Sequence, residues 1–294
     1  MKILVTGANG QVGWELARRG EQRGLLVEAL DHQALDITDL QAVEKKVCGQ
    51  TWAFVVNCAA YTAVDRAESE PELALAVNRN GPAHLAAACG KARLPLIHIS
   101  TDYVFDGKKD GPYRETDPVS PLGVYGRSKA EGEREVRSRL REHIILRTSW
   151  VYGVHGHNFV KTILRLGQER RVLRVVNDQQ GCPTNAADLA DVILAIAGQG
   201  DRNPWGTYHY SGKGVTTWHG FAAAIFAEAR KYTSLLVERV EPISTAQYPT
   251  PAKRPANSVL DCSLFTGAFG IEPRPWRESL VEVMRGLFSP EQGG

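Results

Sequence analysis

Tyr125 and Lys129 stand four residues apart in Tyr125-Gly126-Arg127-Ser128-Lys129, a stretch with a helical pattern, so both side chains fall on one face, one turn apart. A phenol ordinarily titrates near ~10, too high for proton exchange at neutral pH. A lysine ammonium beside it favours the phenolate and lowers that value, and the same lysine can hydrogen-bond a cofactor ribose. The other chemical signal lies near the start of the chain, in Gly7-Ala8-Asn9-Gly10-Gln11-Val12-Gly13. Ile3-Leu4-Val5 precedes it as a strand and Trp14-Glu15-Leu16-Ala17-Arg18 follows as a helix. Strand, glycine turn and helix in that order make a phosphate site. Gly7, Gly10 and Gly13 keep the turn tight and let the backbone approach a pyrophosphate, while the helix N-terminus turns free N–H groups to the anion. A glycine turn alone is a weak signal; with a Tyr-x-x-x-Lys downstream it points to an enzyme that moves a proton beside a nicotinamide dinucleotide.

Three further segments sit where such a site would need them. Ser100-Thr101-Asp102-Tyr103-Val104-Phe105 follows an apolar run at Leu94–Ile99, at a strand's carboxyl end. A hydroxyl there, Thr101 before Ser100, can donate to a carbonyl oxygen as that oxygen gains charge; the bland alternative is a Ser/Thr turn. Asn57-Cys58-Ala59-Ala60-Tyr61-Thr62 holds the equivalent place after another apolar run, with small residues that admit an adenosine and ribose. Asp31 and Asp36 follow a third. Either carboxylate can bind ribose hydroxyls and would favour NADH over NADPH, although His32 or an arginine from elsewhere would tolerate a 2′-phosphate. Asp36 can equally cap the helix that follows.

The elements that must position these groups alternate. Strands are expected at Ile3–Val5, Leu25–Leu30, Ala53–Asn57, Leu94–Ile99 and His143–Arg147, with helices at Asp39–Cys48, Glu72–Lys91 and Leu122–Leu140 between them. Apolar strands separated by helices predict an α/β fold with a doubly wound, Rossmann-type parallel sheet. Beyond residue 150 the rhythm loosens. Helices are expected at Phe159–Gly167, Ala186–Ala197, Phe221–Lys231 and Trp276–Leu287, and short strands at Leu173–Val176 and Thr207–Tyr210. Prolines at 249, 251, 255, 273 and 275 make much of 242–275 a loop, and Ser289–Gly294 is expected to fray. This predicts a dinucleotide-binding domain over 1–150, with returning segments from 185–215, and a smaller discontinuous substrate lobe in 151–294. The run Glu133–Arg141, with charges of both signs, reads as a solvated helix face.

Bulk properties exclude other classes. The 294 residues are 43% hydrophobic and 23% charged with a formal net charge of +2, which gives no reason to expect nucleic acid or an anionic membrane as partner. No apolar stretch is long enough to span a bilayer, and the glycine turn cuts off the only N-terminal apolar run before it could act as a signal peptide. Five cysteines, at 48, 58, 89, 182 and 262, form no C-x-x-C; free, buried thiols in a cytoplasmic protein are expected.

The chain resembles the dTDP-4-dehydrorhamnose reductases, extended short-chain dehydrogenases/reductases that complete dTDP-L-rhamnose for cell-surface polysaccharide. The likeness is carried by Gly10–Leu16, Thr62-Ala63-Val64-Asp65-Arg66-Ala67-Glu68, Ser100–Phe105, Arg147-Thr148-Ser149-Trp150-Val151-Tyr152, Asn177–Thr184, and Tyr248-Pro249-Thr250-Pro251 with Arg254-Pro255. It implies Gly10, Gln11 and Val12 at the cofactor phosphates, Asp31, Asp36 and Ile37 at the adenosine, and Ala60, Tyr61 and Thr62 further along. It implies Tyr125 as proton donor assisted by Lys129, Thr101 and Asp102 beside the 4-keto group of a dTDP-sugar, and Trp150 closing over the sugar. NADPH or NADH would supply hydride from one face, so one C4 epimer forms. Arg254 either forks a diphosphate or pins the proline-rich loop. Some members form a metal-linked dimer through glutamates, one at the position of Glu15; here the later position is Ala187, so no metal is expected, and the chain is a monomer or homodimer. Rival readings are a 4-epimerase or 4,6-dehydratase of the same fold, and a non-catalytic regulatory subunit resembling the methionine adenosyltransferase β subunit. Tyr103 stands where a dehydratase needs an acid, and the intact set of Tyr125, Lys129, Thr101 and Trp150 argues against a relic.

Overall fold

The apolar runs of the first half become strands of one sheet. A computed structural model describes residues 1–200 and 204–289, so the expected fraying of 290–294 lies outside the described residues. Among the described residues eight strands exceed two residues: β1 Lys2–Thr6, β2 Leu26–Leu30, β3 Phe54–Asn57, β4 Leu96–Thr101, β5 His143–Thr148, β6 Val172–Val176, β7 Gly206–His209 and β8 Arg239–Ile243. Six form an all-parallel sheet in the order β7-β5-β4-β3-β1-β2. The order reverses between β1 and β3, the switch point where a doubly wound sheet opens a crevice at its carboxyl edge. Every residue of β3 and β5 is buried, which is why these strands are apolar on both faces rather than alternating.

Helices cover both faces. On one, α1 (Gln11–Gln22) lies beside a helix at Ala186–Gly198, joining Val12, Leu16, Leu189 and Ile193 to Val5, Val56 and Leu146. On the other, Val43 and Val47 of α2 (Leu40–Cys48), Leu85 and Cys89 of α3 (Gly81–Ala92) and Val136 of α4 (Val124–Arg139) meet Leu4, Val55 and Ile145. After β5 the chain builds α5 (Phe159–Glu169) and the parallel pair β6–β8, returns with α6 (Ala186–Gly198) and β7 to the main sheet, then adds α7 (Trp218–Ala229) and α8 (Trp276–Phe288). A further buried cluster gathers around Tyr152, Phe221, Phe226 and Trp276.

The structure departs from the sequence-based expectation in three places. The helix expected over Glu72–Lys91 is cut by a π turn at Ala76–Asn80 between Pro71–Leu75 and α3, because Asn78 turns inward to a polar cluster and an extra residue must be absorbed. The supposed loop 242–275 holds the end of β8, a tight turn at Thr245–Gln247 and a helix at Ser263–Phe269. Phe265 and Phe269, one turn apart, anchor that helix against Tyr210 and Tyr208 with ring centroids 5.1 Å apart in each pair. Finally, Glu133 is no part of a solvated face. It is fully buried, and its carboxylate accepts from Arg147 Nε at 2.8 Å and Nη2 at 2.7 Å and from Ser100 Oγ at 2.6 Å. Helical spacing turned this one acid inward, while Arg134, Arg137, Arg139 and Arg141 remain exposed.

Candidate active site

A cavity of about 910 Å³ runs along the carboxyl edge of the sheet, from Asp31 past the glycine turn to Tyr125 and Trp150. At its start Gly7 adopts φ +77°, and a Cβ there would lie 2.6 Å from Ala59 N. A Cβ on Gly13 would lie 2.2 Å from the carbonyl oxygen of Gly7. The turn is thus closed by contacts between backbones, with no side chain between them and the space a pyrophosphate needs. Gly10 precedes α1 with no side-chain cap, leaving the first N–H groups free for an anion. Gln11 and Val12 face the same space, and Gln11 Nε2 donates to Val151 O at 3.3 Å, tying the turn to the chain beyond β5.

Asp31 follows β2 directly. Its carboxylate accepts from Asn9 Nδ2 and Ala34 N, both at 2.9 Å, and the Ala34 bond leads the effects that hold it below its ordinary value. Asp36 and Ile37 also line the cavity, but Asp36 Oδ1 is engaged by the N–H and hydroxyl of Thr38, each at 2.8 Å. The cap of α2 is Asp39, not Asp36. Ala60, Tyr61 and Thr62 form the opposite wall. Asn78, which sequence reasoning missed, fixes that wall: its Oδ1 accepts from Tyr61 N at 2.8 Å, and its Nδ2 donates to Tyr61 O and Ser128 Oγ at 3.0 Å. Ser128 Oγ in turn donates to Tyr125 O at 2.8 Å. The available signal was an asparagine just before Asn80-Gly81-Pro82, a poor helix interior.

At the far end Tyr125 and Thr101 both line the cavity, side by side with Asp102 and Tyr103. Thr101 Oγ1 donates to Asp102 Oδ1 at 2.9 Å and accepts from Tyr103 N at 3.2 Å. Burial pushes the Tyr125 phenol up to about 12, with the nearby Thr101 hydroxyl opposing and the Asp102 charge adding. This corrects the expectation that Lys129 lowers it. Lys129 Nζ donates to Ile99 O at 2.6 Å, and burial brings its own ammonium down to about 8 against the pull of Glu133 and Cys58. Burial also lifts the Asp102 carboxyl to about 7. Among the described residues Asp102 Oδ2 and Thr148 Oγ1 find no hydrogen-bond partner though buried, and both residues line the cavity. Unpaired buried polar atoms are costly to keep, so the residues present fit a polar ligand such as a dinucleotide or a sugar.

Trp150 forms the outer wall. It is one of two non-glycine residues with positive φ among those described, at +48°, and its indole lies flat on Trp218 with centroids 3.5 Å apart and 7° between planes. A Cβ on Gly181 would be 2.6 Å from the Trp150 ring, so that glycine is required by the close approach. Trp218 lines the cavity too and was not found from the sequence; it opens α7, three residues before the helix start expected at Phe221. Arg254 is not in the wall. Its guanidinium forks Asp65 at 2.8 and 3.1 Å and reaches Thr250 Oγ1 at 2.6 Å, so it pins the proline-rich loop. Glu15 is taken by Arg18 and Arg19 at 2.9 and 3.1 Å, and among the described residues no three His, Cys, Asp or Glu gather as a metal site. The cysteines carry no disulfide; Cys89 and Cys182 are buried as expected, but Cys48 is exposed.

Residues 1–288 match the family described as the RmlD substrate binding domain. The chain belongs to this family. A dTDP-4-dehydrorhamnose reductase of Aggregatibacter actinomycetemcomitans is 46% identical over 96% of this chain and 98% of its own length. Among solved structures, a dTDP-4-dehydrorhamnose reductase from Clostridium acetobutylicum superposes with a TM-score of 0.92 at 42% identity, covering 98% of this chain and 99% of that one. A Bacillus anthracis reductase in complex with NADP gives 0.90 at 37% identity, over 96% and 98%.

Proposed function

We propose that this protein reduces the C4 ketone of dTDP-4-dehydro-β-L-rhamnose to dTDP-β-L-rhamnose with NADPH or NADH, Tyr125 delivering the proton. The carrying observation is that Tyr125, Lys129 and the hydrogen-bonded pair Thr101–Asp102 line the same cavity as a phosphate-fitting glycine turn. A nicotinamide bound along that cavity supplies hydride; the remaining steps fall to the chain. Tyr125, held near 12, keeps its proton at neutral pH, as an acid must until the ketone oxygen has become basic enough to take it. Thr101 orients the phenol and, turning from Asp102, can share the growing charge. Lys129, one helical turn from Tyr125 and held by Ile99 O, lines the cavity where its ammonium can hydrogen-bond the ribose of a bound dinucleotide and fix the nicotinamide beside the phenol. The Trp150–Trp218 wall excludes water from one side of the sugar.

The same proposal takes the enzyme to be cytoplasmic and a monomer or homodimer; its free cysteines suit a reducing compartment. The test follows loss of NADPH and NADH absorbance with the 4-keto sugar nucleotide generated in situ. Tyr125→Phe is expected to lower kcat by about 10²–10⁴-fold, the usual worth of a positioned proton donor. Turnover should also decline as pH rises through about 8, because the protonated form of Lys129 is the active one, and Lys129→Met should flatten that limb at a low rate. Absence of dinucleotide consumption by a protein that still binds it would overturn the reading.

A further inference from the structure

The segment Thr62–Glu68 reaches the cavity through Thr62 and Val64, but its remaining residues are given no task by the chemistry above. The structure gives its last residue a partner: Glu68 Oε1 accepts from the backbone N–H of Val124 at 2.8 Å. Val124 opens α4, and Tyr125 is its second residue. The first N–H groups of a helix lack partners within it. Here the residue before the helix is Gly123, with no side chain to serve, and the first turn holds no acid. Glu68 caps the catalytic helix from a different part of the chain.

Gly123 admits that carboxylate. A Cβ at this position would lie 2.5 Å from Glu68 Oε1. Its backbone, φ −136° and ψ 177°, is extended and available to any residue, so the absence of a side chain serves the approach rather than the turn. The same segment is anchored at its other end, where Asp65 accepts from Ala252 N at 3.2 Å and holds Arg254. The short helix Val64–Ala67 is therefore tied to the proline-rich loop by Asp65 and to α4 through Glu68.

We propose that Glu68 is a positioning residue for Tyr125: its carboxylate fixes the first turn of α4 and so where the phenol meets Thr101. The inference rests on Tyr125 being the proton donor. Misplacement of a reacting group by about 1 Å can cost on the order of a hundredfold in rate. Glu68→Ala should lower kcat about tenfold, with KM for the sugar nucleotide and the dinucleotide Kd, read by fluorescence titration, within about twofold. Glu68→Gln keeps the accepting oxygen and should restore kcat with the pH profile in place. Glu68→Asp keeps the charge, falls one methylene short, and should not.

Gly123→Ala supplies an independent probe. In the wild-type background it pushes the carboxylate away and should reproduce the loss; combined with Glu68→Ala it should cost nothing more, because the atom it strikes is gone. Rescue by aspartate rather than glutamine, additive losses from the two substitutions, or a kcat fall matched by equal losses in Kd and Tm would each overturn the proposal. Tyr125→Phe runs alongside. If it retains full turnover, the proton-donor reading fails and takes this inference with it; if it collapses while Glu68→Ala is unimpaired, only this inference fails.

Discussion

The two ends of the cavity are made by different means. At the dinucleotide end the shape comes from backbone against backbone, with Gly7 and Gly13 set by distances no side chain could occupy. Around it stand regular strands and a largely aliphatic core. At the Trp150 end, where we propose the sugar sits, the wall is a stack of aromatic rings, with Trp150 on Trp218, Trp218 near Phe159, and Phe159 on Phe221, carried by the turn after β5 and by the first turns of α5 and α7. A wall made of backbone tolerates almost no change, whereas one made of side chains can be retuned residue by residue. The first end then serves a cofactor shared by many enzymes, and the second can carry the selectivity.

The largest break in this contrast should come from beneath the sheet. Glu133 is fully buried; burial works against its charge, but hydrogen bonds and charge from Arg147, with Ser100 and Arg137, outweigh that and hold it below the ordinary carboxylate value. Glu133→Ala leaves the guanidinium of Arg147, itself 2% exposed, without its partner. Stranding a buried charge costs about 3–5 kcal/mol, which in a chain of this size lowers Tm on the order of 10 °C. A thermal melt unchanged within a degree or two would show that the pair contributes little to the regular half. The sign with pH follows: a depressed carboxyl stabilises above its ordinary value and loses that contribution as pH falls through the folded-state value.

Gly13→Ala should act next, and on one ligand only. Its Cβ, 2.2 Å from the Gly7 carbonyl oxygen, forces the turn apart. Overpacking of this kind costs about 1–3 kcal/mol, so dinucleotide affinity should fall by about ten- to a hundredfold. Binding of dTDP alone should be unaffected. Equal weakening of both ligands would mean that the two ends are not separate in the way the geometry suggests.

The same contrast decides what could be read from sequence. The glycine turn, the five first strands and the Tyr125–Lys129 spacing are local patterns with strict periods, and each lies where the pattern put it. What escaped was set by contacts between distant segments. Glu133 looks like its charged neighbours until the partner strand brings Arg147 beneath it. Asn78 sits in a helix pattern whose π turn arises from packing against Ser128 and the Tyr61 backbone. The depth that raises Tyr125 and lowers Lys129 is a property of the folded cavity, so a pairwise argument from spacing alone gave the wrong direction for the phenol.

The smallest expected effect is the one most diagnostic of the aromatic end. Trp218 backs Trp150, whose left-handed backbone costs about 1–2 kcal/mol outside glycine and is held by the stack, by the space Gly181 leaves and by Thr184 N donating to Trp150 O at 3.2 Å. Trp218→Ala removes one of these restraints, and an aromatic pair is worth about 0.5–1.5 kcal/mol beyond its burial. KM for the sugar nucleotide should therefore rise about two- to tenfold, with dinucleotide Kd unchanged. Trp218→Phe, which can still stack, should recover most of it. A rise in dinucleotide Kd with sugar KM unmoved would place the indole pair on the cofactor's side of the cavity and undo the division between a backbone-built end and an aromatic one.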